Sequence, residues 1–491
     1  MTQINVSVGK IMKERNMQKT PTVKDIVGAG KQRSYSEIVE FLDKNWSANA
    51  TEPTLIRMKQ LDHAFDSLSQ KIDTILISGT NGKSLTAYFT TQLLQAEELS
   101  VGTFYSPHTL TYNERFSING ETIANKIFTE LANEVLNTIE NLQLTSNTYE
   151  ILTMMALLHF KNNSIDIAVI EVSDTSSKNA VHIFNPKVVA ITRITEQETP
   201  HADAQTITQM LSIVKAGTHV VSADQSKLNL HAIQTLATQK GATWAMPIRK
   251  LAPLSYPFEQ LHGRCAALAE RVAHIYINIF AHKDAIIVSS AHNSLLAKQK
   301  GQRGRPTTEA KRQAEMHPKK TIEQFWKDTT NCLPGRFQLL DKEKPSILLD
   351  NAGNLDAFKN VLLGIRLLHY QRPLKGLTVI LGCNRSDLNM QEFLKLLRYF
   401  FKKTSGQVIV CPIEPAPGHH GDQVWNVEQV TNDIKSMKIK ARASKNFKEA
   451  FEMAQKSVDE RHGLVVITGS PSIITEYWKN KGIKRITTPT A

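Results

Sequence analysis

The stretch TILISGTNGKSLTAYFTT, residues 74–91, runs from an apolar, β-branched segment through a glycine-flanked turn into a helical pattern. Residues 74–78 read as a buried strand, and a helix is expected near 84–97. A turn that ends a buried strand and opens a helix leaves several backbone N–H groups without intrahelical partners. They point outward where the helix dipole favours an anion. Gly79 and Gly82 allow positive φ and a close approach of backbone to phosphate oxygens. Lys83 supplies a mobile charge for the terminal phosphates of a nucleotide, and Ser84 a hydroxyl for Mg²⁺. Generic phosphate-loop spacing asks for another glycine where Ile77 stands, so the match is partial. The bland alternative is a glycine-rich turn without a ligand. The Lys-Ser pair placed directly after the strand favours the nucleotide.

Working outward, strand-like and helix-like runs alternate. SVGTFYS (100–106), IDIAVIEVS (165–173) and KVVAITRI (187–194) are strand candidates. ANKIFTELANEVLNTIENL is an amphipathic helix, and NTYEILTMMALLHFKNN a mostly buried one. Beyond a basic segment the pattern resumes with SILLD (346–350), LTVILG (377–382), QVIVCPI (407–413) and GLVVITG (463–469), with helices between. Such alternation predicts an α/β fold with a parallel-rich sheet and helices on both faces. With 491 residues, more than one core is expected. We expect a flexible or peripheral extension (1–34), a phosphate-loop domain (35–290), a basic insertion or linker (291–324) and a smaller C-terminal α/β domain (325–491).

Hydrophobic content of 41% is ordinary for a globular protein. No long apolar run predicts a membrane span, and the N-terminus lacks the apolar core of a signal peptide. Four cysteines without metal spacing read as buried thiols in a reducing compartment, and a cytoplasmic protein is expected. The formal net charge of +13 suits anionic partners. Between Lys298 and Lys320 stand eight Lys or Arg against two Glu. No aromatic residue interleaves them, so the stacking signature of single-strand binders is missing. That segment reads as a solvated insertion, and neither nucleic acid nor a membrane is expected as a partner.

Ser106 and His108 follow a strand, where open α/β sheets place ligands. Glu150 lies in a very apolar helix, where a carboxylate is costly unless paired or metal-bound. A buried Arg or Lys partner is its plain alternative. His201 in a loop reads equally as a surface residue, and Lys215 near the end of an apolar helix as a snorkelling lysine.

In order along the chain, GTNGKS, YSPHTLTYNERFSING, TYEILTMMALLHF, AVIEVS, PHAD and IVKAG resemble the Mur ligase superfamily, most of all its folylpolyglutamate synthase/dihydrofolate synthase branch. LPGRF (333–337), LLDNAGNLDAF, GCNRSD and VVITGS extend the resemblance over roughly residues 35–480. It implies a central-type Mur phosphate-loop domain followed by a Rossmann-like ligase domain. It also implies an ATP-dependent ligation of glutamate to a folate or dihydropteroate carboxylate through an acyl phosphate, in a protein expected to be monomeric. By position, Gly79, Thr80, Asn81, Gly82, Lys83, Ser84, Arg336 and Asp350 would bind ATP. Ser84, Ser106, Glu150 and His201 would hold Mg²⁺. Lys83, His201 and Lys215 would be catalytic, Lys215 matching the family's carbamylated lysine.

The sequence departs from the pattern at Pro200, where the family has Asp, at Gly353, where it has His, and at Cys265 and Ala269, which replace polar residues of a helix start. The glycine-rich stretch after Glu171-Val172 reads SDTSSKN. Two other readings therefore stay open: a Mur-type ligase with another carboxylate substrate, and a nucleotide-binding paralogue that no longer catalyses.

Overall fold

Thr74–Ser78 forms a strand (β1) whose five residues are all buried. The computed structural model describes residues 30–46, 54–173, 180–195, 204–223, 226–281, 285–288, 320–329, 333–384, 388–414 and 425–486. After β1 come β2 (Val101–Phe104), β3 (Phe116–Ile118), β4 (Glu121–Thr122), β5 (Ile167–Glu171), β6 (Val188–Ile191), β7 (His219–Ser222) and β8 (Thr243–Ala245). They assemble in the order β4-β3-β2-β5-β1-β6-β7-β8. Pairings from β2 through β8 are parallel, and β3 and β4 add an antiparallel edge. Neighbours in a strand point to opposite faces. Accordingly Leu76 enters one core, with the helices Asn125–Asn141 and Thr148–Asn162, while Ile75 and Ile77 enter another. Helices Lys83–Ala96 and Phe258–Tyr276 build that second layer.

A short parallel pair, β9 (Ile287–Val288) and β10 (Lys320–Thr321), flanks the expected insertion. The second sheet contains β11 (Gln338–Leu340), β12 (Ser346–Asp350), β13 (Leu377–Leu381), β14 (Gln407–Val410), β15 (Lys440–Ala443) and β16 (Leu464–Thr468). Its order is β11-β12-β16-β13-β14-β15, parallel except for β11. Leu348, Leu464 and Val466 face one core and Leu349, Val465 and Ile467 the other. The α/β class, with helices covering both faces of a parallel-rich sheet, follows from this arrangement. Among the described residues no helix is long and apolar enough to cross a membrane.

Local chemistry sets the helix starts. Asn147 caps Thr148–Asn162 in a capping box with Glu150, and Asn354, Asn389, Asn426 and Asn446 each accept the third amide of a helix in the second half.

Two expected boundaries shift. Residues 1–29 lie outside the described residues, but 30–34 are docked rather than free. The Arg33 amide donates to Asn133 Oδ1 at 2.8 Å, and its guanidinium to Asn137 Oδ1 at 2.8 Å. Helix Ile322–Asp328 belongs to the first half, because Phe325 and Trp326 are buried in the core of Phe89 and the Phe258–Tyr276 helix. The second half therefore takes up after that helix rather than at 325. The bulk of the basic segment, through residue 319, lies outside the described residues.

Candidate active site

The carboxyl ends of strands from both sheets open on one cavity of about 1020 Å³. The loop after β1, Ser106 after β2, Glu171 at the end of β5 and Thr192 after β6 line it from the first half. Asp350 at the end of β12, Asn384 after β13 and Ser470 after β16 line it from the second. This is where open α/β sheets hold ligands.

The phosphate loop has the shape its sequence asks for. Gly79 has φ +133° and Gly82 φ +90°. A Cβ on Gly79 would stand 2.1 Å from Thr192 Oγ1, so no other residue fits there without displacement. The Thr80 and Asn81 amides donate to the Arg193 carbonyl, tying the loop to the strand next to β1. Lys83 opens the helix and folds its ammonium over the loop, donating to the Gly79 carbonyl at 2.9 Å and the Thr80 carbonyl at 3.2 Å. Ser84 Oγ donates to Glu171 Oε1 at 3.0 Å and accepts from Arg336 Nη2 at 3.1 Å.

Glu171 is the central carboxylate. Its other oxygen accepts the Ser106 amide at 3.1 Å. Burial raises its pKa against the opposing pull of Lys83 and Arg336. Asp350 accepts the amides of Phe337 at 2.8 Å and Ala352 at 2.9 Å, and burial raises it to about 6 although Arg336 is near. On the wall beyond Ser106, Arg115 donates to Ser106 Oγ at 3.1 Å and to His108 Nδ1 at 2.9 Å. Its guanidinium lies 5.3 Å from the Trp46 ring and 5.9 Å from that of Tyr112.

The two halves meet across the cavity. Asn81 and Asn354 exchange side-chain hydrogen bonds at 3.1 and 2.9 Å. Asp356 accepts from Asn81 Nδ2 and Arg193 Nε, both at 3.0 Å. On the far rim Thr475 Oγ1 donates to the Thr109 carbonyl at 2.6 Å.

Of the residues singled out in the sequence, the structure brings together Gly79, Thr80, Asn81, Gly82, Lys83, Ser84, Ser106, Arg336 and Asp350. Two do not join them. Glu150 is fully buried and ion-paired with Arg57, and its carboxylate also accepts the Asn147 amide of the capping box. Its expected role as a metal ligand is replaced by that plain partner, because an apolar helix tolerates a carboxylate only when it is paired. Lys215 donates to Asn185 Oδ1 at 2.8 Å. It precedes β7 as Asn185 precedes β6, so it lies at the amino edge of the sheet, roughly one strand length (~13 Å for four residues) from the carboxyl edge where the cavity opens. The catalytic placing expected for it does not hold. His201 lies outside the described residues.

Glu171 and Arg115 are charged side chains of the cavity wall that reading by pattern passed over. Glu171 had a usable signal, an acid at the last position of an apolar strand. Arg115 had only its place two residues before Ser117 in the motif. Among the described residues no group of three His, Cys, Asp or Glu side chains forms a ready-made metal cage.

No protein-family model matches the chain. In sequence it is similar to the dihydrofolate synthase/folylpolyglutamate synthase of Bacillus subtilis (strain 168), 27% identical over 318 residues, which are 62% of this chain and 70% of that protein. In fold it is similar to the bifunctional folylpolyglutamate synthase/dihydrofolate synthase of Yersinia pestis CO92, with a TM-score of 0.70 at 19% identity over 94% of this chain and 100% of that one. A bifunctional folylpolyglutamate synthase/dihydrofolate synthase crystallised with Mn, AMPPNP and L-glutamate superposes with a TM-score of 0.68 at 20% identity, over 92% of this chain and 100% of the other. At such identities the structures establish a shared fold.

Proposed function

We propose that this chain, which belongs to the Mur ligase superfamily in its folylpolyglutamate synthase/dihydrofolate synthase branch, is an ATP-dependent ligase joining the amino group of glutamate to the carboxylate of a folate-like acid. The observation that carries the reading is the contact of Arg336, from the second half, with Ser84 of the phosphate loop beside buried Glu171. A cation from one half is delivered to the point where the other half holds a phosphate, which is what neutralising a transferred phosphoryl group requires.

The chemistry divides into two displacements. A carboxylate oxygen of the acid attacks the γ-phosphorus of ATP. The bond from that phosphorus to the bridging oxygen breaks, and ADP leaves with the electron pair. The glutamate amine then attacks the acyl carbon, the carbon–oxygen bond to phosphate breaks, and phosphate leaves as an amine proton is lost. Little covalent work falls to the protein, so its residues act by position and charge. The amides that open helix Lys83–Ala96 and the Lys83 ammonium grip the phosphates, Lys83 exchanging its loop carbonyls for phosphate oxygens. Arg336 meets the charge from the opposite side. Asp350, at the end of β12, holds the Phe337 and Ala352 amides and helps shape the nucleotide's side of the cavity. Ser470 suits the carboxylate of the incoming amino acid. Its buried Oγ has no partner among the described residues, and it opens helix Pro471–Asn480 without making its side-chain cap bond.

The donor set fits Mg²⁺. Ser84 Oγ and the Glu171 carboxylate are hard oxygen donors already in contact, with Ser106 beside them, and waters would complete six positions. A divalent ion bound there supplies charge neutralisation and template orientation. Both faces of the cavity come from one chain, which supports a monomer. The side chains of Cys265, Cys383 and Cys411 are thiols rather than disulfides, which fits a reducing compartment such as the cytoplasm.

The test is phosphate release by purified protein given ATP, Mg²⁺, glutamate and either dihydropteroate or tetrahydrofolate. Release that depends on both the pterin acid and glutamate is expected. Release driven instead by a UDP-sugar peptide would identify a different Mur-type substrate, and ATP binding with no release under any acid would identify a paralogue without catalysis.

A further inference from the structure

Arg115 is 2% exposed, yet its hydrogen-bond partners are neutral. His108 accepts at Nδ1 and is therefore the unprotonated acceptor there, and Ser106 accepts at Oγ. Trp46 and Tyr112 flank the guanidinium with their rings. Those rings are themselves fixed, since Trp46 Nε1 donates to Tyr112 Oη at 2.9 Å and Tyr112 Oη donates to Asp43 at 2.7 Å. Nη2 of Arg115 has no hydrogen-bond partner among the described residues, and the side chain lines the cavity. A buried guanidinium without an ion pair is a standing cost to the fold. Such a group is retained where a charged ligand supplies the missing partner, and a pinned, forked cation is the geometry that matches a carboxylate.

Its position says which carboxylate. Arg336, Ser84, Glu171, Ser106 and Arg115 form one hydrogen-bonded chain. The chain runs from Arg336 through Ser84 of the phosphate loop and ends at Arg115, three residues beyond Ser84. We infer that Arg115 receives the carboxylate of the acid substrate through Nη2 and presents it to the γ-phosphoryl group held at Ser84. The inference rests on the reading that this cavity activates an acid. Trp46 and Tyr112, stacked with centroids 6.3 Å apart, hold the fork in plane, and the ring system of the acid lies along the same wall.

Calorimetric titration of the full chain, saturated with AMPPNP and Mg²⁺, tests this with dihydropteroate and its methyl ester. The natural protein is expected to prefer the acid over the ester by on the order of 10- to 100-fold, as a hydrogen-bonded charge pair implies. Arg115→Gln is expected to reduce that preference to within about threefold while leaving the ester's affinity in place. Should Arg115→Gln lack a cooperative melt, Arg115→Lys carries the test, since it keeps a charge but loses the fork, and its preference is expected to fall about tenfold. An undiminished preference in the variant that folds would overturn the assignment. So would a parallel loss of acid and ester affinity, which is what a merely structural role predicts. A natural protein that binds AMPPNP but neither pterin would overturn the folate-acid reading and the assignment with it, an outcome distinct from failure at Arg115 alone.

Discussion

Lys83 and Glu150 show how differently a charged side chain can be wired. Lys83 rests on carbonyls of its own loop, which are replaceable by solvent, so its charge is available to a phosphate. Lys83→Ala is therefore expected to lower the ligase rate more than ~10²-fold, because it removes charge stabilisation from the transferred group, while the thermal melt hardly moves. Steady-state ADP release and calorimetry check both halves of that statement, and normal turnover would remove the loop from the mechanism. Glu150 behaves in the opposite way. It is paired with Arg57 inside the first core, so Arg57→Met leaves an uncompensated buried carboxylate. A loss of about 3–5 kcal/mol is expected in chemical denaturation. The magnesium dependence of turnover in any folded Glu150→Gln protein is expected to match that of the natural chain.

At the scale of elements, the place where the helices Phe258–Tyr276 and Ile322–Asp328 meet carries a titratable group of its own. Glu270 accepts from Trp326 Nε1 and pairs with Arg249 at 3.1 Å. Burial nevertheless raises its pKa from 4.5 to about 7, with Glu323 adding to the rise and Trp326 and Arg249 opposing it. A carboxyl whose folded pKa is raised is held best while protonated. Its contribution is present at pH below the unfolded value, near 4.5, and is lost as pH climbs through the folded value near 7. Comparing Glu270→Gln with the natural chain, the stability difference should move in favour of the variant by up to about 3 kcal/mol between pH 4.5 and 8. Melting curves across that window check it, and a flat difference would mean that Glu270 keeps an ordinary pKa. The consequence is local to the contact that returns the chain from its basic segment.

For the molecule as a whole, the site exists only when the halves are together. Asp356 is the residue that joins them most directly, taking hydrogen bonds from Asn81 in the phosphate loop and Arg193 after β6. A partly exposed pair of this kind contributes little to stability, but here it ties the phosphate loop and the β6 end of the first half to the second half. Asp356→Ala should raise the KM for ATP several-fold and lower kcat, and small-angle scattering should report a larger radius of gyration without nucleotide. An unchanged radius together with unchanged kinetics would show that closure is secured elsewhere, for instance by Thr475 on Thr109.

Much of this was legible in the chain alone. The strand–loop–helix at residues 74–91, the strand at 346–350 and the buried helix at Thr148–Asn162 are local matters of apolar periodicity, glycine and capping, and they stand where pattern placed them. Lys83 and Ser84 were legible for the same reason, since both belong to one short turn. The rest required strands to find their neighbours. Glu171 reaches Ser84 across 87 residues only because β5 pairs with β1, and Lys215 misses the cavity only because it stands before a parallel strand instead of after one. Glu150 met Arg57 rather than a metal because two helices packed. Periodicity reports which residues are buried but not against what. The partner of a buried charge is chosen by strand order and helix packing, and in this protein that choice put Glu171 in the cavity wall and Glu150 in an ion pair inside the core.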